Sequence, residues 1–271
     1  MDNTVAFTDC TGRVYGIAAP NRPSLRVLHT LPAGMRHQVH LAHESERLRP
    51  EDGLHLATGL PDLQWSRAHE VMGASALSFA FHVARQSRSL SRPHPILLIG
   101  SSREIHSLRP EGLRGFVPPA SLSLIEATRR TDRLWTAEQC LAAKAQALVI
   151  LHLDQGPNLS ESRSLQIAAE RGGSLGLILI SKGAQSSACQ TRWSCKPTHD
   201  GWVWELLKNK SGRVGCWNIR AGPGGRLLDP IPSSQLKPTS LQPSHEKPPH
   251  TASVVSLPSA GSSDPSPRPS S

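Results

Sequence analysis

At 271 residues the chain can hold one sizeable core with tails, or two small domains. An apolar fraction of 37% and 23 prolines mean that part of it stays outside any core. A net charge of +9 favours anionic partners, whether nucleic acid, an acidic protein or a membrane surface. No apolar run approaches the ~18 residues of a membrane span and no signal-peptide core opens the chain, so the expectation is a soluble, cytoplasmic protein. Five cysteines without a C-x-x-C pair indicate neither a disulfide framework nor a zinc site and fit reduced thiols.

Residues 1–30 lack sustained periodicity and contain Pro20 and Pro23, which predicts an irregular arm. From Pro32 to Leu48, Met35, Val39 and Leu41 are spaced among charged residues and histidines, a pattern for a short amphipathic helix stopped by Pro50. The arm is therefore drawn as residues 1–52. Gly53 to Leu63 reads as a turn-rich approach to a first strand, which ends at Met72. Ser75 to Arg88 is a largely apolar helix, of the kind buried against a sheet. Apolar strands follow at 95–100, 121–127, 147–153 and 175–180. Between them lie a helix opening at Thr131 and another opening at the Asn158-x-x-Glu161 capping box, closed by Gly172-Gly173.

Strands alternating with helices predict an α/β fold with a mostly parallel sheet covered on both faces. Gly201 to Lys208 alternates at period two, Asn209-Lys-Ser-Gly212 is a turn, and Arg213 to Arg220 returns, which predicts an antiparallel C-terminal hairpin. After Ala221 the composition shifts to Pro, Ser, Gly, Lys and His, so residues 221–271 are expected to form a disordered tail.

The Met72-Gly73 junction is the entrance of a phosphate-binding α/β domain, where a glycine turn sets helix N–H groups beside an anion. A Walker loop needs G-x-x-x-x-G-K-[ST]. Here Gly73 is followed by Ala74, Ser75, Ala76, Leu77 and Ser78, without a second glycine or a lysine. Gly73, Ser75 and Ser78 thus mark a degenerate nucleotide loop.

Three motifs in order carry a resemblance. Glu70-Val-Met-Gly73, Ala147 to Asp154 and Lys208-Asn-Lys210 resemble the strand-to-P-loop turn, the Walker B strand and the lysine motif of RecA-like recombinases. Arg103 to Leu113, Asp132-Arg-Leu-Trp135, Ser162 to Ala169, Thr191-Arg-Trp193 and Trp204 to Lys210 more specifically resemble the ImuA family, RecA-like and SulA-related accessory factors of bacterial SOS mutagenesis. The resemblance spans about residues 53–220 and implies a degenerate RecA-like domain there. It also implies a non-catalytic adaptor in translesion synthesis, without a cofactor. Its partners would be an ImuB-like polymerase-related protein and, through it, an error-prone C-family polymerase and the sliding clamp, with RecA and DNA as further candidates. Two alternatives stay open: a nucleotide-dependent RecA-like ATPase, and a SulA-like inhibitor of cell division or recombination.

Against the RecA pattern, Ser102 stands near the position of the activating carboxylate, with Glu104 two residues away, and His152 stands in the Walker B register, with Asp154 two places later. The connection from Ser181 to Gln190 is shorter than a recombinase DNA loop. The candidate contact residues lie at the other end of the domain. By the resemblance, Lys208 and Lys210 match positions that reach a neighbouring subunit's nucleotide. Two lysines two apart on a strand point the same way, and with Arg192, Lys196 and Arg213 they would make a basic edge for phosphate or an acidic partner. Trp193, with Trp202, Trp204 and Trp217, fits either a packed core or a binding patch. The histidines lack metal-cluster spacing, and no G-x-S-x-G elbow supports a serine hydrolase.

Overall fold

The computed structural model describes residues 53–88, 94–118, 121–183, 185–222, 227–228 and 230–232, together with the backbone of three short N-terminal strands. Those three are β1 (Thr4–Thr8), β2 (Val14–Ala18) and β3 (Leu25–Val27). They replace the irregular arm expected for residues 1–30. Runs of three to five residues are shorter than the windows in which periodicity can be read. β1 and β2 form an antiparallel hairpin, whereas β3 pairs with the edge of the main sheet. The helix expected over 32–48 and the tail beyond residue 232 lie outside the described residues.

The elements that follow are β4 (Gly53–Leu54), β5 (Leu63–Gln64), β6 (Ala68–Met72), α1 (Ala76–Ser87) and β7 (Ile96–Gly100). Next come α2 (Ser102–Ser107), α3 (Pro110–Leu113), β8 (Leu122–Ala127), α4 (Arg130–Ala142) and β9 (Leu148–Gln155). The chain continues through α5 (Leu159–Gly172), β10 (Leu175–Lys182), β11 (Thr191–Pro197), β12 (Gly201–Asn209), β13 (Gly215–Arg220) and β14 (Ile231–Pro232). β4 and β5 pair as a small hairpin of their own. The main sheet has ten strands in the order β14-β13-β12-β11-β6-β10-β9-β7-β8-β3. The six from β11 to β8 are parallel, and antiparallel strands extend both edges. The predicted mostly parallel, helix-flanked sheet with its C-terminal antiparallel hairpin is therefore present.

Both faces are covered, which is why the central strands read as continuous apolar runs. One face packs Val71, Ile150 and Leu177 under α1, α2, α3 and the Leu54–Trp65 segment. The other packs Val149, Leu151 and Ile178 under α4 and α5. The Asn158 capping box forms as expected: Asn158 Oδ1 accepts from the Glu161 N–H at 2.9 Å, and Glu161 answers to the Asn158 N–H at 2.9 Å. Gly173 closes α5 with φ +64°, a left-handed cap.

β11 is a strand that the sequence pattern did not announce. It lies parallel to β6 and turns Trp193 inward, so that Phe79 of α1 meets Trp193 and, from β12, Trp204 with ring centroids 5.3 and 4.7 Å away. Trp202 lies on the same side and packs on the His82 ring at 4.8 Å. The first described residues of the stretch expected to be a disordered tail continue the sheet: Ala221 bridges to Leu227, and β14 pairs with Trp217 and Asn218. No helix among the described residues is long and apolar enough to cross a membrane.

Two histidines are held neutral inside this core. Trp193 Nε1 donates to Thr191 Oγ1, which is 2.7 Å from His69 Nδ1, and His69 Nε2 is 3.0 Å from the Gln64 carbonyl. That chain is satisfied by the neutral imidazole with its proton on Nε2. Burial lowers His69 to about 4, and burial together with the Arg85 charge lowers His82 to about 4. Between their ordinary pKa near 6.5 and about 4, the unfolded chain binds these protons and the folded chain does not. Stability is therefore complete above about pH 6.5 and should fall through that window by about 1.4 kcal/mol per pH unit for each histidine. Denaturant unfolding across pH 4 to 7 should show the slope, and His82→Phe should reduce it; a flat profile would contradict the assignment.

Candidate functional site

The turn after β6 is where a nucleotide phosphate would sit. Only three residues, Gly73 to Ser75, separate β6 from α1. Gly73 adopts φ +98°, and a Cβ built there would lie 2.3 Å from the Cys195 carbonyl oxygen of β11. That oxygen accepts from the Ser75 N–H at 3.2 Å, while the Ala76 N–H is taken by Gly73 O at 3.1 Å. A Walker loop leaves such N–H groups free to surround an anion. Here a neighbouring main-chain carbonyl takes the Ser75 donor, and the turn is shorter than the loop of the Walker pattern. Ser75 caps α1 as a buried residue without a side-chain capping bond, and Ser78 lies half-buried on the first turns of the helix.

The expected basic edge has a different geometry. Glu70 lies in the middle of β6 and is fully buried, and Arg192 beside it on β11 donates from Nε to Glu70 Oε2 at 2.7 Å. Arg192 also reaches the Gln185 carbonyl and Ser187 Oγ. Lys208 donates to the Ser187 carbonyl at 2.6 Å and Lys210 to the Ala188 carbonyl. The Ala188 N–H in turn donates to Ser162 Oγ of α5 at 2.8 Å. Both lysines do point the same way, but toward the protein. Their target is the connection from β10 to β11, which crosses β6 as a strap and buries Cys189 against the helix-covered face. Burial and the neighbouring Lys210 lower the Lys208 pKa, and burial pushes the Cys189 thiol up to about 12. The cations thus compensate a buried carboxylate and satisfy strap carbonyls, both of which would be costly if left unpaired.

Trp193 is 0% exposed and belongs to the core, so the packed reading of this indole holds and it presents no surface in this structure. Arg213 is exposed in the β12–β13 turn. The site residues therefore divide into a filled loop, an internal latch, a core indole and one surface arginine.

At the carboxyl end of β7 and β9 a second cluster forms. The Glu104 carboxylate accepts from the Ser101 N–H at 2.8 Å and stands 3.6 Å from His152 Nδ1. Asp154 pairs with Arg133 of α4 at 2.9 Å, and Arg133 also donates to the His152 carbonyl. The Arg133 hydrogen bond holds Asp154 below its ordinary range; burial lowers His152 against the opposing charges of Glu104 and Asp154. The two carboxylates flagged by sequence are close to the Walker B position, yet each is already engaged by this chain's own groups. No group of three or more metal-binding side chains exists among the described residues.

Glu70 was missed as a functional residue by sequence reasoning. The one signal was a carboxylate inside a five-residue buried strand, which demands a partner from elsewhere. Because that pair is buried, Arg192→Ala should cost about 3–5 kcal/mol by leaving the Glu70 charge uncompensated. Equilibrium urea unfolding measures this, and a cost under about 1 kcal/mol would contradict the latch.

No protein-family profile matches the chain. Among curated proteins, it is similar to "Protein ImuA" of Caulobacter vibrioides strain NA1000 / CB15N, with 26% identity over 209 residues, covering 66% of this chain and 84% of that protein. The same protein from strain ATCC 19089 matches with the same identity and coverage. The similarity is distant.

Proposed function

We propose that this chain is a non-catalytic accessory protein of an ImuA-type mutagenesis system. On this reading it is an adaptor that associates with an ImuB-like polymerase-related protein and, through it, with an error-prone polymerase. The observation that supports the non-catalytic part is the short β6–α1 turn, where the Cys195 carbonyl takes the Ser75 N–H and a side chain at Gly73 would collide with that carbonyl. The distant ImuA similarity supports the cellular setting. An adaptor needs a rigid α/β platform, and the Arg192, Lys208 and Lys210 contacts supply rigidity at the place where a recombinase would keep a mobile loop.

The ATPase alternative requires a cation to reach phosphate. Lys208 and Lys210 are each bonded to a strap carbonyl, and no lysine follows Gly73. Catalysis of phosphoryl transfer rests on positioned charge, so losing the lysine, the loop length and a free carboxylate together removes its main components.

Deleting the gene should abolish damage-induced mutagenesis, and the wild-type gene should restore it. A Ser78→Ala gene should restore it equally, because the adaptor draws on no hydroxyl of the degenerate loop. Mutation frequency after ultraviolet irradiation reads both outcomes. Intact mutagenesis in the deletion strain would contradict the accessory role; failure of Ser78→Ala with normal protein levels would favour the ATPase reading.

A further inference from the structure

A groove of about 610 Å³ lies between the β4–β5 hairpin and the β12–β13 turn, within the size range of ligand sites. Gln64, just before β6, and Thr191, the first residue of β11, both line it. The groove therefore sits at the opposite end of these strands from the Gly73 turn. Trp217 of β13 forms one wall and is fixed from behind. It pairs across the sheet with Trp204, and its ring centroid is 6.0 Å from that of Trp193. A Cβ at Gly215 would lie 2.5 Å from Cη2 of the indole, so the glycine lets the ring settle against the main chain. The ring stays only partly buried. An aromatic plane held in this way loses little freedom when a second plane stacks on it. Leu60, Pro61 and Val214 complete the apolar lining, and Val214 is 60% exposed.

The rest of the lining is polar and rich in amides. Gln64 and Gln190 are joined through Ser211, whose hydroxyl donates to Gln64 Oε1 at 3.3 Å and accepts from Gln190 Nε2. These bonds use one lone pair of the first amide and one N–H of the second, and each amide carries two of both. Paired donors and acceptors of this kind read the edge of a nucleobase. The turn that carries Arg213 to the rim is tied by Asn209, which donates from Nδ2 to the Arg213 carbonyl at 3.3 Å and accepts from the Ser211 N–H at 3.0 Å. The acid of the lining, Asp62, is paired with His55 Nδ1 at 3.0 Å.

We propose that this groove takes one unpaired base of a single-stranded nucleic acid, stacked on Trp217, with its edge toward Gln64 and Gln190 and the adjoining phosphodiester on Arg213. Stacking on an aromatic plane with a cation on the backbone is the general way in which proteins hold single strands. The charges select a strand over a free nucleotide. One guanidinium matches the single charge of a diester, whereas the terminal phosphate of a nucleotide carries close to two. The net charge of +9 favours the approach of the strand as a whole.

This inference goes beyond the adaptor reading and stands or falls apart from it. Fluorescence anisotropy of labelled oligo-dT, and of an abasic strand of equal length, measures binding by the full chain. Wild type should bind oligo-dT and hold the abasic strand at least about tenfold more weakly, and Trp217→Leu should lose about tenfold for oligo-dT. Val214→Glu, at an exposed wall, should show the same loss, which keeps the test open if Trp217→Leu melts early. Arg213→Gln should lower the slope of log affinity against log salt by about one. Arg103→Gln, at an exposed base outside the groove, should leave oligo-dT affinity unchanged. Absence of oligo-dT binding, or equal binding of the abasic strand, overturns the proposal. So does unchanged oligo-dT affinity in Trp217→Leu and Val214→Glu. Displacement of oligo-dT by excess dTMP assigns the groove to a free nucleotide and also overturns it. If these two variants weaken a purified ImuB-like partner while oligo-dT affinity holds, the groove is a protein contact and the proposal fails.

Discussion

The Cys195 carbonyl accepts a hydrogen bond from the Ser75 N–H, directly above a glycine that leaves room for no side chain. Much of the molecule follows from this contact. It requires β11 to lie beside β6 in parallel, which places Arg192 next to Glu70 and turns Trp193 toward Phe79. It requires the β10–β11 connection to cross β6, and the lysines of β12 then have strap carbonyls within reach. Gly73 at φ +98° is the residue that permits the approach, since a side chain would collide with the β11 backbone.

The same contact links fold to function. A phosphate-binding turn works because its N–H groups stay unsatisfied until an anion arrives. Here the donor at Ser75 is satisfied within the fold, so the sheet is completed where a nucleotide enzyme would keep an opening. The charges that could have served phosphate chemistry are likewise engaged by the chain itself. Glu70, buried at the centre of β6, takes Arg192; Lys208 and Lys210 hold the strap. A domain of this kind can present surfaces without performing chemistry, which is the physical basis of the adaptor reading.

The central sheet was legible because covered strands announce themselves as apolar runs, as at Ile96–Gly100, Leu148–Leu153 and Leu175–Ile180. The capping box at Asn158 was legible because its two residues lie one turn apart. β11 was not. Thr-Arg-Trp-Ser-Cys-Lys-Pro mixes charge into a half-buried strand, and Arg192 is tolerated there only because Glu70 stands 122 positions earlier. The direction of Lys208 and Lys210 was hidden for the same reason, since a period-two pattern fixes which residues share a face but not whether that face meets solvent or a strap. Of the candidate site, the degenerate character of the Gly73 loop was readable from the missing lysine. The carbonyl that fills it comes from a strand more than a hundred residues away.

The central claim is that the Gly73–Ser75 turn takes no nucleotide because the protein already occupies it. Its most direct measurement is the amide chemical shifts of Gly73, Ala74 and Ser75 during titration with magnesium-ATP. The account predicts that these resonances stay in place while exposed basic residues show at most weak, salt-sensitive changes. A saturable shift confined to the three turn amides would contradict it.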